Sequence, residues 1–213
     1  MILQTEREQV VEYGKKLLET GLVVGTFGNI SVYNKEEDLM AISPSGLDYG
    51  ITKPEDIVVL KPTGEKIDGD RAPSSEYDMH RIFYLQSEEV RAVVHTHSSY
   101  ATTLACLQWE IPPLHYLVGY AGNKVPCTEY VPTGTWELAE RAYETMQGHC
   151  ACLLGNHGLL AASKTLAYTF DVAEQIEMVA KLYCQAKTIG EPKLLNDKQM
   201  EKMLEMFKTY RAS

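Results

Sequence analysis

No stretch of this chain approaches the ~20 consecutive apolar residues that a membrane-spanning helix needs, which excludes such a helix. Nor is there a clustered run of lysine and arginine. The net charge is −9 and the isoelectric point near 5.2, the wrong balance for a nucleic-acid partner, whose phosphates call for a basic face. The five cysteines (Cys106, Cys127, Cys150, Cys152 and Cys184) are odd in number and contain no C-x-x-C pair. That pattern argues against a disulfide framework and for reduced thiols in a cytoplasmic setting. The opening "MILQTEREQVVEYGKKLLETG" lacks a charged segment followed by an apolar one, so no secretory signal is expected and a cytoplasmic location is. P-loop and G-x-G-x-x-G signatures are absent too.

What remains is an ordinary globular composition, 45% hydrophobic and 23% charged over 213 residues, enough for a core. Helical spacing of Val10, Val11, Leu17 and Leu18 predicts a first helix over 5–20, stopped by Gly21. "NISVYN", "LMAISP", "DIVVL", "VRAVVHTHS" and the two arms of "CACLLGNHGLLAA" read as strands. Helices are expected in "APSSEYDMHRIFYLQ", with Ser75 and Asp78 at capping-box spacing, in "SSYATTLACLQW" and "WELAERAYETMQG", and over 166–189 and 197–210. "IPPLHYLVGYAG" reads as extended. Without a linker or internal repeat, one α/β domain over residues 1–213 is expected.

Three places in this chain can carry chemistry. His95 and His97 sit one residue apart on a strand, where alternation places both imidazoles on one face. With a third histidine they could hold a metal ion and leave a position open for substrate. His157, in a Gly-Asn-His-Gly turn, competes for that role with His80 and His115, and the alternative is that these are simply strand and turn residues. In "PSSE", Ser74, Ser75 and Glu76 stand at a helix start, suited either to phosphate or to capping the helix. Finally, "GTFGNIS" and "SPSGLDYG" offer glycines and hydroxyls to a ligand, and serve equally well as ordinary turns.

The ordered set "GTFGNIS", "ISPSGLDY", "PSSE", "HTHS" and "NHGLL" resembles the class II aldolase/adducin family over nearly the whole chain. "IPPLHYLVGYAGNKVPCTEY" and the terminal "FKTY" are most similar to its L-fuculose-phosphate aldolase branch. The resemblance implies a three-layer α/β/α domain around a central, mostly antiparallel sheet. It implies one zinc ion per subunit held by His95, His97 and His157, with Glu76 beside it as acid/base residue and as a fourth ligand before substrate binds. Thr26, Gly28, Asn29, Ser45, Gly46, Ser74 and Ser75 would cradle the substrate phosphate. Tyr116 would reach a neighbouring subunit's site and assist protonation at the aldehyde oxygen, and Tyr210 would close over the substrate. A homotetramer with sites at its interfaces is implied.

The reaction so implied is reversible cleavage of L-fuculose 1-phosphate, or a closely related ketose 1-phosphate, to dihydroxyacetone phosphate and L-lactaldehyde. Zinc as Lewis acid would stabilise the enediolate, with no lysine Schiff base. Thr133 stands where that branch can carry an aromatic residue, which leaves open a different deoxy-sugar phosphate. Rival readings are an L-ribulose-5-phosphate 4-epimerase, a dehydratase of methylthioribulose 1-phosphate, and a non-catalytic adducin-like interaction module. Retention of all three histidines and Glu76 weighs against the last.

Overall fold

The computed structural model describes residues 1–210, with side chains through Phe207. Seven strands form one sheet: β1 (Asn29–Asn34), β2 (Leu39–Ile42), β3 (Val58–Leu60), β4 (Lys66–Asp68), β5 (Ala92–Thr96), β6 (Ala151–Leu154) and β7 (Gly158–Ser163). Their order is β4-β3-β2-β1-β5-β7-β6, and every pairing between neighbours is antiparallel. Among the described residues six α-helices accompany them: α1 (Gln4–Glu19), α2 (Tyr77–Gln86), α3 (Ser99–Cys106), α4 (Trp136–Thr145), α5 (Leu166–Ile189) and α6 (Asp197–Tyr210). No described helix is long and apolar enough to cross a membrane.

Both faces of the sheet are covered, which explains why its strands are apolar almost throughout rather than alternating with polar residues. On one face, Ile30, Val32, Val94, Leu159 and Ala161 pack with residues of α1, α3 and α5. On the other, Tyr33, Val93, Leu160 and Ala162 pack with Met79, Ile82 and Phe83 of α2 and with Leu138 and Ala142 of α4. The expected three-layer α/β/α arrangement is thus present. Thr135 and Thr165 accept hydrogen bonds from the Leu138 and Tyr168 amides, capping α4 and α5 where the sequence turns helical.

Two local expectations are corrected. The segment read as extended around His115 holds a 3-10 turn, Tyr116–Tyr120, closed by the bond from Val118 N to His115 O. The capping box expected from Ser75 and Asp78 does not form. Glu76 is the N-cap of α2 and makes no side-chain cap, while Asp78 pairs with Arg81 one turn on. Glu76 is therefore left to face the sheet.

Candidate active site

Register determines which side chains meet. Asn29 on β1 is the cross-strand neighbour of His95 on β5, and Ser31 that of Val93. Strand alternation directs all four toward the α2–α4 layer. The N-terminal end of α2 lies over this spot and supplies Glu76, which is buried despite its charge.

β5 ends at Thr96, so His97 is one residue beyond the strand rather than on it. Its ring still converges on its neighbour: His95 Nε2 and His97 Nε2 lie 2.9 Å apart. His157 arrives from the turn between β6 and β7. There Asn156 adopts a left-handed conformation (φ 56°), and its amide donates to Ala105 O at the end of α3. Gln108 also donates to the Asn156 side chain, which ties the turn to α3. Glu76 Oε1 stands 3.2 Å from His157 Nε2, and Glu76 Oε2 stands 3.4 Å from His95 Nε2.

Two glycines make this closeness sterically possible. A Cβ on Gly28 would lie 2.7 Å from the His95 carbonyl oxygen, and φ there is +77°. A Cβ on Gly158 would overlap the Thr96 carbonyl oxygen and press on the rings of His95 and His97. Neither position tolerates a side chain without moving a histidine-bearing segment.

Ligand atoms of Glu76, His95, His97 and His157 all lie within 4.8 Å of one another, a grouping that can hold a metal ion. The donor chemistry fits a divalent cation. His95 Nδ1 is engaged by the Leu159 carbonyl, so Nε2 presents its lone pair inward, the usual outer-shell arrangement for a metal-binding histidine. Burial pushes His95 well below its ordinary pKa and His97 down to about 4, with the neighbouring imidazoles adding to both shifts. Burial lowers His157 as well, against the opposing pull of Glu76. Neutral imidazoles are the form that binds metal. Glu76 Oε1 and His157 Nδ1 are buried with no hydrogen-bond partner, which for the carboxylate oxygen fits an atom reserved for a cation or a substrate proton.

The other two candidates for third ligand are not in this grouping: both ring nitrogens of His80 are occupied by Ser31 and Asn29, and His115 stands apart as the N-cap of the 3-10 turn, its Nδ1 accepting from the Leu117 amide.

The glycine-hydroxyl segments come together beside Glu76. Ser45 N donates to Ala72 O, Ser74 N to Ser43 O, and Ser43 Oγ accepts from Ile30 N. Gly28, the Ser45–Gly46 turn and Ser74–Ser75 therefore share the end of the β1–β2 pair, with Thr26 exposed at its edge. Gly134, next to Thr133, approaches the Ser75 carbonyl. The Asn29 amide side chain bonds to Glu76 Oε2 at 3.0 Å and to His80 Nε2. Tyr116 is outside the cluster, half exposed on the 3-10 turn, where it stacks on Phe207 of α6. The side chain of Tyr210 lies outside the described residues.

Sequence reasoning missed Phe27, an exposed ring stacked on His97 with centroids 5.7 Å apart. It weighed His80 only as a metal ligand and missed its place, with Ser31 and Tyr84, behind Glu76. The spacing Glu76–His80–Tyr84, one residue every four along a helix, was the available signal.

A sheet covered on both faces, with a carboxylate and three imidazoles converging at one end, presents a site that can hold a divalent cation. The chain belongs to the class II aldolase and adducin family: the model of the class II aldolase and adducin N-terminal domain matches residues 8–184. It is 52% identical over 210 residues to a 5-deoxy-D-ribulose 1-phosphate aldolase of Bacillus thuringiensis serovar kurstaki, covering 99% of each chain. It is 40% identical over 205 residues to a 5-methylthioribulose-1-phosphate/5-deoxyribulose-1-phosphate aldolase of Rhodospirillum rubrum, covering 96% of this chain and 91% of that one. A solved structure of an L-fuculose 1-phosphate aldolase superposes with a TM-score of 0.95 at 46% identity, covering 98% of both chains.

Proposed function

We propose that this chain is a metal-dependent aldolase that cleaves a deoxyketose 1-phosphate to dihydroxyacetone phosphate and a short aldehyde. The observation that carries the proposal is the convergence of Glu76 with three neutral imidazoles within 4.8 Å. A divalent ion bound there, zinc in our reading, supplies the positive charge that stabilises negative charge developing on substrate oxygen. His95, His97 and His157 hold that ion. In cleavage the C4 hydroxyl passes its proton to the Glu76 carboxylate as the C3–C4 bond breaks. Glu76 then delivers that proton to C3, and in condensation it removes one there and returns it to the aldehyde oxygen. The hydroxyls and amides of Thr26, Gly28, Ser45, Gly46, Ser74 and Ser75 hold the phosphate, helped by the nearby start of α2. Tyr116 of a neighbouring copy and Tyr210 complete the aldehyde side in a homotetramer, and the enzyme works in the cytoplasm.

The substrate we favour is 5-deoxy-D-ribulose 1-phosphate, whose aldehyde product is acetaldehyde. The support is the high identity to relatives bearing that activity in their names, together with Thr133 where an aromatic residue was expected. L-Fuculose 1-phosphate, giving L-lactaldehyde, is the second reading, supported by the likeness to an aldolase of that name. The test is a panel of 5-deoxy-D-ribulose 1-phosphate, 5-methylthioribulose 1-phosphate, L-fuculose 1-phosphate and L-ribulose 5-phosphate, assayed for dihydroxyacetone phosphate. The highest kcat/KM is expected on the first. Epimerisation of the last without release of a three-carbon phosphate would defeat the aldolase reading.

A further inference from the structure

Behind Glu76 runs a chain of buried polar groups that the reaction does not consume. Asn29 Nδ2 donates to Glu76 Oε2, the other end of the same amide meets His80 Nε2, and His80 Nδ1 meets Ser31 Oγ at 2.7 Å. Ser31 Oγ in turn meets the Tyr84 hydroxyl. All four residues are buried, His80 and Ser31 completely. Two periodicities interlock to build the chain: Asn29 and Ser31 are two apart on one face of β1, and Glu76, His80 and Tyr84 are four apart along α2.

The direction of every bond follows from the carboxylate. An ionised Glu76 can only accept, so Asn29 must present its NH2 group to it. Asn29 Oδ1 then faces His80 and requires a proton on Nε2. His80 Nδ1 must accept from Ser31, whose oxygen accepts from Tyr84. Complete burial, which brings the His80 pKa down to about 3, keeps one proton on the ring and so keeps these roles distinct.

We propose that His80 is a positioning residue for Glu76. Through Asn29 it anchors Oε2 as an acceptor and leaves Oε1, which has no hydrogen bond of its own, as the oxygen that carries the substrate proton. Without His80, Asn29 can turn its amide over and set two oxygens against each other, and Glu76 loses its fixed orientation. The inference rests on the reading of Glu76 as the acid–base residue.

The first test needs no turnover. Long-range proton–nitrogen NMR of full-length protein with nitrogen-15-labelled histidine, metal-free and zinc-loaded, should show His80 neutral with its proton on Nε2. The His80→Gln variant assigns the signal. A proton on Nδ1, or a doubly protonated ring between pH 6 and 8, overturns the proposal. The second test follows deuterium exchange at C3 of dihydroxyacetone phosphate, which needs Glu76 but no aldehyde. His80→Leu should slow exchange about 10²-fold with little change in KM or zinc content. His80→Gln, which keeps a donor, should recover most of the rate. In an Asn29→Ala background, His80→Leu should add little, because the two act in series. Additive losses, or equal losses in both His80 variants, overturn the positioning role. If Glu76→Gln exchanges at the wild-type rate, it is the assignment of the base that fails. The Nε2 tautomer would then still stand as observed.

Discussion

Glu76 Oε1 and His157 Nε2 face each other at 3.2 Å in a buried pocket, yet neither Glu76 Oε1 nor His157 Nδ1 has a hydrogen-bond partner. With the His157 proton on Nδ1, the Nε2 lone pair and the carboxylate oxygen would be two acceptors set against each other. A cation between them, or a proton, relieves that opposition.

That relationship makes the metal-free protein responsive to divalent cations. Zinc at about a hundredfold excess over its Kd should stabilise the fold by about 2.7 kcal/mol, roughly 5–10 °C in Tm for a domain of this size. His157→Ala and His95→Ala should abolish most of the shift. Calorimetry with and without zinc, alongside measurement of bound metal, checks this, and an equal shift in the variants would refute the site.

Replacing Glu76 by Gln keeps the size of the side chain and an acceptor for Asn29 while removing the exchangeable proton. Turnover should fall by about 10² to 10⁴, and binding of dihydroxyacetone phosphate should change little. Steady-state kinetics with equilibrium binding distinguishes this from a general collapse of the site. A rate within a few-fold of wild type would exclude Glu76 as the base.

Acid should destabilise the metal-free protein before any carboxylate is titrated. His80 has an ordinary pKa of 6.5 and a buried one of about 3, so between those values the unfolded chain binds more protons than the folded one. Stability therefore rises with pH across that window and is lost as pH falls below 6.5, by about 2 kcal/mol for His80 alone at pH 5. His97, lowered to about 4, adds to the same slope. Urea unfolding at pH 5 and pH 7 measures it, and His80→Gln should flatten the dependence. A stability that is level over this range would contradict burial of neutral histidines.

Gly158→Ala probes the fit of the β6–β7 turn against β5. The added methyl meets the Thr96 carbonyl and the rings of His95 and His97, so His157 must withdraw. Zinc affinity should drop by about 10- to 100-fold, as it does when the groups orienting metal ligands are disturbed. Competition with a chromogenic chelator reads this out. Unaltered affinity would mean that the turn accommodates the methyl without moving the histidine.

Much of this site can be read from residue order, and the limits have physical causes. Strands and helices follow local periodicity, so β1, β5, α4 and α5 are visible in the sequence almost to their ends. Strand geometry alone left the His95–His97 pair ambiguous, since choosing among His80, His115 and His157 as third ligand depends on tertiary placement. His80 illustrates the difficulty: by composition it is as good a ligand as His157, and only the register of β1 against β5 reveals that both its nitrogens are taken. The contacts of the Asn29 side chain were hidden for the same reason, because a polar residue at the start of a strand gives no sign of the carboxylate packed beside it. The capping box at Ser75 and Asp78 is missing because α2 starts one residue later, with Glu76 as N-cap, and Asp78 pairs with Arg81 instead.

The turn that carries His157 and the strand end that carries His97 are separated by sixty residues of chain, from 97 to 157. An ion gripped by both would therefore be a reversible cross-link, closing a long loop that includes α3, α4 and the 3-10 turn of Tyr116. By the chain-entropy arithmetic used for covalent cross-links, closing a loop of that length is worth about 4 kcal/mol against the unfolded state. Chelators would then do more than silence the chemistry: they would remove a tie between β5 and the β6–β7 hairpin that adds to their backbone pairing, and make opening of the enclosed loop to proteases more frequent.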